Sequence, residues 1–301
     1  MTLWDSYIET RQQLRRAGIE NDATEARFLL ERFLNADYQQ VVMDGKRIAE
    51  EPAVVRLRQA VEKRCNGYPL QYLMGEWEFY GYRFDVGEGV LIPRQDTECL
   101  CEAALEYLST LESPRVLDLC SGSGCIAVTL AKQCPSAEVT AVERYDEAFS
   151  YLEKNIKKNG AEVIAIQGDA LNPEQLSLCG TFDLIVSNPP YLTAEDMEHL
   201  QADVPYEPPS ALYGETDGLL FYRELPKLWK KFLSPGGMIA FEIGAGQQES
   251  VAGFLEQAGY GNVCTACDLC GIIRVVTARN LPAVNNETLR PAHDQRAVER
   301  E

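Results

Sequence analysis

From residue 115 onward, short apolar runs alternate with longer stretches whose apolar residues recur every three or four positions. The first pattern predicts buried strands, the second amphipathic helices. "RVLDL", "AEVTAVE", "AEVIAIQGD", "FDLIVSN" and "GGMIAFEIG" are the strands. "GCIAVTLAKQC", "EAFSYLEKNIKKN", "GLLFYRELPKLWKKFL" and "QQESVAGFLEQAG" are the helices. Such alternation implies an α/β fold, a largely parallel sheet with helices on both faces. The closing stretch "NVCTACDLCGIIRVVTAR" reads as two strands around a short glycine turn, which must be antiparallel.

The first part of the chain has a different period. Residues 1–66 read as a small helical bundle, in which "DATEARFLLERFL" sets Ala26, Leu29, Leu30, Phe33 and Leu34 on one face. Asp22 with Glu25 resembles a capping box. Pro52 suits the first turn of a later helix carrying Val54, Leu57 and Val61. In residues 67–92, aromatics alternate with polar residues between glycines, the pattern of a β-hairpin linker. A helix then starts in "IPRQDTECLCEAALEYL", with Asp96 or Thr97 as its cap, and residues 93–282 form the α/β domain. Residues 283–301 are poor in apolar residues, and a disordered tail is expected there.

Composition narrows the function classes. The charge of −18, from 28 basic and 46 acidic residues, disfavours a nucleic-acid partner, which asks for a basic face. No apolar run approaches the ~20 residues of a membrane span, and the polar-amphipathic N-terminus lacks a signal peptide's apolar core. A cytoplasmic protein and a monomer are expected. The ten cysteines lie within apolar runs and are expected to be reduced thiols. Cys264, Cys267 and Cys270 have metal-like spacing but need a fourth ligand, and His199 and His293 are remote in sequence, so no metal is expected.

The chemistry sits at strand ends. "VLDLCSGSGCIA" runs from strand to glycine-rich turn to helix, and Gly122 and Gly124 let the backbone approach a ligand. A tight packing turn would use the same glycines. Glu143 ends the next strand, where a carboxylate can accept from ribose hydroxyls, and Asp169 ends the third, placed to meet an adenine edge. Asp118 before the turn suits a cationic ligand better than a pyrophosphate, and neither a P-loop nor G-x-G-x-x-G is present. S-adenosylmethionine, with ribose, adenine, ammonium and sulfonium and no phosphate, fits this set. Asn188 ends the fourth strand in "SNPPY". Its side-chain carbonyl and the Pro189 carbonyl can accept both hydrogens of a planar NH₂ group and aim it at a methyl donor. Tyr191 can stack on the planar group, while Pro189 and Pro190 stiffen the turn.

"VLDLCSGSG", "AVE", "GDA" and "NPPY", in this order, resemble a class I (Rossmann-like) methyltransferase acting on a planar amino nitrogen. NPPY alone is shared by adenine-N6 DNA methyltransferases and protein glutamine methyltransferases. The segments "PLQYLMGEWEF", "LIPRQDTE", "VPYEPPSALYGETDGLLFYREL" and "FEIGAGQ" resemble the HemK/PrmC family of release-factor glutamine methyltransferases, over about residues 1–280. The resemblance implies a seven-stranded sheet and methylation of the glutamine amide in the Gly-Gly-Gln motif of class 1 release factors. It implies that Cys120, Ser121, Gly122, Ser123 and Gly124 wrap the methionine part of the donor, Glu143 holds the ribose and Ala170 borders the adenine. Asn188 would touch donor and substrate, Pro189, Pro190 and Tyr191 would clamp the glutamine, and Arg94 and Asp96 would shape the donor pocket. The helical domain, 1–66, would recognise the protein substrate. The family often has Gly at the position of Cys120 and Asp at that of Glu143. An adenine-N6 nucleic-acid methyltransferase predicts a basic channel and an extra recognition domain; a binding module without catalysis predicts loss of the donor or NPPY residues. This chain matches neither pattern.

Overall fold

Alternating apolar and polar runs from Arg115 onward build a sheet covered on both faces. A computed structural model describes residues 1–176, 178 and 180–281; the tail expected over 283–301 lies outside the described residues. The strands are β1 (Glu76–Phe79), β2 (Tyr82–Asp85), β3 (Arg115–Leu119), β4 (Glu138–Glu143), β5 (Val163–Gln167), β6 (Phe182–Ser187), β7 (Leu233–Glu242), β8 (Gly261–Cys267) and β9 (Ile273–Arg279). Strands β3 to β9 form a seven-stranded sheet of order β5-β4-β3-β6-β7-β9-β8. β3 to β7 are parallel, and β9 is antiparallel to both β7 and β8. The short turn forces that reversal, as the sequence predicts.

Both faces are buried, which is why the central strands are apolar almost throughout. On β6, Leu184 and Val186 pack with the helices Glu98–Leu108 and Cys125–Gln133, whereas Ile185 faces Leu225, Trp229 and Val251 across the sheet. A separate core of Leu3, Leu14, Leu29, Leu30, Val41, Leu57 and Val61 closes the N-terminal bundle.

The linker joins the two cores. The hairpin β1–β2 turns on Tyr80 and Gly81, both at positive φ (52° and 76°), a twist that suits a two-residue hairpin. Its Phe79 and Phe84 enter the sheet core. Ahead of it the structure adds a short helix, Leu70–Met74, which the alternation of aromatics does not predict. Pro69 stands at its start, Gly75 closes it in the left-handed region, and Leu70 is buried in the bundle core.

Two expected caps do not form. Asn21 precedes the helix Asp22–Leu34 and makes no side-chain cap. Asp22 instead pairs with Arg11 and Arg15 at 3.1 and 3.0 Å, and Arg64 binds both oxygens of Glu25 at 2.7 and 2.9 Å. Arginines from neighbouring helices thus outcompete the backbone amides. Nor does Thr97 cap Glu98–Leu108: a 3₁₀ turn, Gln95–Thr97, leads into that helix, and Asp96 pairs with Arg274 at 3.0 Å.

Candidate active site

The chain runs outward from β3 through β4 to β5, then returns to place β6 on the other side of β3. Ligands of doubly wound sheets bind where the order reverses, outside the carboxyl ends of the strands. A cleft lies there, with about 940 Å³ of non-atom space including its open mouth. Successive strand ends contribute Cys120 to Ser123, Glu143, Gly168 to Ala170, and Asn188 with Pro190. The end of the linker contributes Leu91 and the segment just after it Pro93 and Arg94, and the far wall is Pro208, Ser210, Ala211 and Phe221.

The glycine-rich turn is held from beneath. Gly122 has φ +55°, and an added Cβ there would meet nothing within 4 Å, so its backbone borders open space. Gly124 has φ +80°, and a Cβ there would stand 2.5 Å from Leu152 Cδ1. One glycine serves approach and the other packing. Asp118 is fully buried under the turn; Ser121 Oγ donates to its Oδ2, while Oδ1 has no hydrogen bond of normal geometry. Burial pushes this carboxyl up to about 7, against the Ser121 hydrogen bond. Burial also drives the Cys120 thiol upward.

Glu143 is 6% exposed and lines the cleft. Its Oε2 accepts the Gly122 amide at 2.8 Å, and its Oε1 accepts those of Arg144 and Tyr145 at 2.8 and 2.9 Å. Three of its roughly four acceptor positions are therefore spent on backbone amides, one in the glycine-rich turn and two in the loop after β4. Asp169 accepts from Leu171 N at 2.8 Å and pairs with Arg144 at 3.0 Å. Trp229 Nε1 donates to Ala170 O at 2.8 Å and fixes the loop from the far side of the sheet. Both arginines of the cleft are held by carboxylates, Arg144 by Asp169 and Arg94 by Glu207. That leaves an open glycine cradle and carboxylates at adjacent strand ends, a set that fits S-adenosylmethionine better than a phosphate ester.

Asn188 stands where this cleft meets a second cavity, lined by Arg94, Tyr191, Leu192, His199, Leu212 and Glu242 among others. Its Nδ2 donates to Thr97 Oγ1 at 3.3 Å. The turn that carries it is anchored: Pro189 and Pro190 are buried, Gln247 Nε2 donates to Tyr191 O at 3.1 Å, and Leu192 N donates to Leu212 O at 2.8 Å.

The structure thus gathers Arg94, Cys120, Ser121, Gly122, Ser123, Glu143, Asp169, Ala170 and Asn188 around one cleft. Asp118 and Gly124 stand behind that lining, and Asp96 faces Arg274 instead. Sequence reasoning misses Thr97, Glu207 and Glu242. Glu207 is 2% exposed and binds Arg94 and, at 2.9 Å, the Ile92 amide, which ties the linker to the cleft wall. A signal existed for Glu242, since "MIAFE" ends on an acid as "VTAVE" does. Among the described residues no three His, Cys, Asp or Glu side chains group to hold a metal, and Cys264, Cys267 and Cys270 are all exposed.

Comparison with known proteins converges on one family. Residues 6–75 match the PrmC N-terminal domain and residues 97–203 the methyltransferase small domain. The release factor glutamine methyltransferase of Geobacter sulfurreducens is 40% identical over 273 residues, 90% of this chain and 94% of that protein. The same-named proteins of Clostridium botulinum and Bordetella pertussis are 36% and 40% identical, covering 93% and 83% of this chain and 99% and 92% of theirs. Among solved structures, the hMettl16 catalytic domain in complex with MAT2A 3'UTR hairpin 1 superposes with TM-score 0.54 at 17% identity, covering 80% of this chain and 87% of that one. At such identity the likeness concerns the fold alone. The sequence matches along nearly its full length show that the chain belongs to the family of release factor glutamine methyltransferases.

Proposed function

We propose that the protein transfers the methyl group of S-adenosylmethionine to the side-chain amide nitrogen of the glutamine in the Gly-Gly-Gln motif of class 1 release factors. The observation that carries this reading is the position of Asn188 at the junction of two cavities, one with the donor-type cradle and one open for a peptide. When bound, the donor supplies an electrophilic methyl group on a sulfonium and would leave as S-adenosylhomocysteine, while one of the two amide protons passes to solvent. The chain supplies orientation. Asn188 Oδ1 and the Pro189 carbonyl accept the two hydrogens of the glutamine NH₂, and Pro190 and Tyr191 clamp its plane. Two acceptors polarise a nitrogen whose lone pair is otherwise delocalised, and they act without reorganising because the turn is anchored. Around the donor, the turn 120–124 holds the methionine part, Glu143 the ribose, and Asp169 and Ala170 the adenine. Arg94 shapes the same pocket, and Asp96, in the turn that follows it, helps to shape that wall.

In this reading residues 1–66 recognise the release factor, 67–92 link, and 93–282 carry out the transfer. The protein works as a cytoplasmic monomer without contacting nucleic acid. Among the described residues no helix is long and apolar enough to cross a membrane. An adenine-N6 nucleic-acid methyltransferase would share NPPY, but the charge of −18 and the names of the full-length relatives weigh against it.

The test combines purified protein, labelled S-adenosylmethionine and a class 1 release factor, with peptide mass spectrometry. One methyl group is expected on the Gly-Gly-Gln glutamine and none when that glutamine is replaced by alanine. Donor binding without transfer, or transfer to RNA or DNA instead, would overturn the substrate. Asn188→Ala should lower kcat by roughly 100-fold or more while donor affinity stays within a few fold.

A further inference from the structure

We infer that Glu242 is a positioning residue that sets which way round the Asn188 amide stands, so that its carbonyl and not its NH₂ faces the substrate; the inference rests on the role proposed above for Asn188. Strands β6 and β7 run parallel with Ser187 opposite Phe241. One residue further on, Asn188 and Glu242 stand side by side at the two strand ends. Glu242 and Thr97 are each 2% exposed, and Glu242 Oε2 is buried without a hydrogen bond of normal geometry. The Thr97 hydroxyl and the Asn188 amide are the hydrogen-bonding side chains set against this carboxyl.

An amide looks nearly the same either way round, so its hydrogen-bond network decides the orientation. A carboxylate can only accept. In the proposed arrangement it takes the one proton of the Thr97 hydroxyl, and Thr97 Oγ1 is left as an acceptor. Asn188 must then turn its NH₂ toward Thr97, as observed at 3.3 Å. The Oδ1 of Asn188 is left to the substrate. Without the carboxylate, Thr97 can donate to Asn188 and the amide can turn over, presenting NH₂ to NH₂.

Glu242 acts in this way only while ionised. The charged and titratable groups facing it are Asp96 on the turn before Glu98–Leu108, Arg274 on β9, Tyr191 on the NPPY turn and Tyr222 on Leu220–Trp229, with the thiols of Cys99, Cys101 and Cys125. Burial raises its ionisation to about 7, with Arg274 opposing.

The experiment measures kcat with a release factor from pH 6 to 9, donor affinity and Tm for the wild type, Glu242→Gln, Thr97→Val and Asn188→Ala. Glu242→Gln should fold, bind the donor within about twofold of wild type and lose about tenfold or more in kcat, since its amide can donate to Thr97. The wild-type rise of kcat with pH near neutrality should vanish with it. Thr97→Val breaks the same relay with little change of volume and should lose kcat similarly. Wild-type kcat in folded Glu242→Gln, or in Thr97→Val if the first does not fold, overturns the inference even where Asn188→Ala is inactive. Full activity of Asn188→Ala overturns the reading of Asn188 itself, and the inference with it.

Discussion

Cys120 shows how one residue can carry strain in the glycine-rich turn. It sits at φ +59°, in the left-handed region, where a residue with a Cβ pays roughly 1–2 kcal/mol. Its side chain recovers part of that by packing against the core of Leu117, Val142 and Ile185. Cys120→Gly removes both terms and adds about 0.5–1 kcal/mol of unfolded-chain entropy. The expected stability change is within about 1 kcal/mol, with donor affinity retained. Cys120→Val adds a β-branch at positive φ and should cost more than about 2 kcal/mol. Denaturant unfolding of both variants checks the order; a Val variant as stable as wild type would show that the turn relaxes. At this scale the sequence is legible where one residue type has one use. The strand-end polar residues Glu143, Asp169 and Asn188 stand out because each interrupts an apolar run. Thr97 and Glu207 do not, because the partners that give them meaning, Asn188 and Arg94, lie far away along the chain.

Elements are joined to the site by a few buried polar groups, and Asn155 is the clearest. It is fully buried on the helix Asp146–Asn159. Its Oδ1 accepts the Asp85 amide at 2.6 Å, and its Nδ2 donates to Asp85 O at 3.0 Å and Ser123 O at 2.9 Å. One side chain thereby clamps the end of the hairpin to the glycine-rich turn. Asn155→Ala leaves those backbone groups unpaired and should cost roughly 2–4 kcal/mol. Because Ser123 lines the cleft, donor affinity should fall as well. Equilibrium unfolding and calorimetric titration with S-adenosylmethionine measure the two effects, and a loss below about 1 kcal/mol would mean that water substitutes for the amide. The strands and helices of the sheet are legible from periodicity because each buries a face large enough to impose its period. The helix Leu70–Met74 is not: it spans 5 residues, too few to show a period, and its burial against the bundle comes from the tertiary fold. The expected cap at Asp22 fails for a related reason, since Arg11, Arg15 and Arg64 reach the two carboxylates from other helices.

For the whole molecule, the carboxyls divide into two groups that pull stability in opposite directions with pH. Asp268 is held below its ordinary value by the Ile272 amide and, against burial, by Arg274; Glu76 is held down chiefly by Lys158. Each contributes stability that is present above its ordinary pKa and lost as pH falls through its lowered folded value. Asp118 and Glu242 behave in reverse. Burial raises them from ordinary values of 3.8 and 4.5 to about 7, so the folded state holds their protons longer than the unfolded chain does. Their contribution is fully present below the ordinary values and is lost as pH rises toward about 7. Stability should therefore peak on the acid side of neutrality, at about pH 5, and decline toward about pH 7. The charge of −18 at pH 7 adds self-repulsion in the same direction. Asp118→Asn separates the two causes. It cannot titrate, so its Tm relative to wild type should climb between about pH 4 and 7 and level off above, while the repulsion common to both cancels. Thermal unfolding of the two proteins across that range decides it. Parallel curves would mean that Asp118 is already ionised when folded, held by Ser121 and the helix start at Ala127 more strongly than burial opposes.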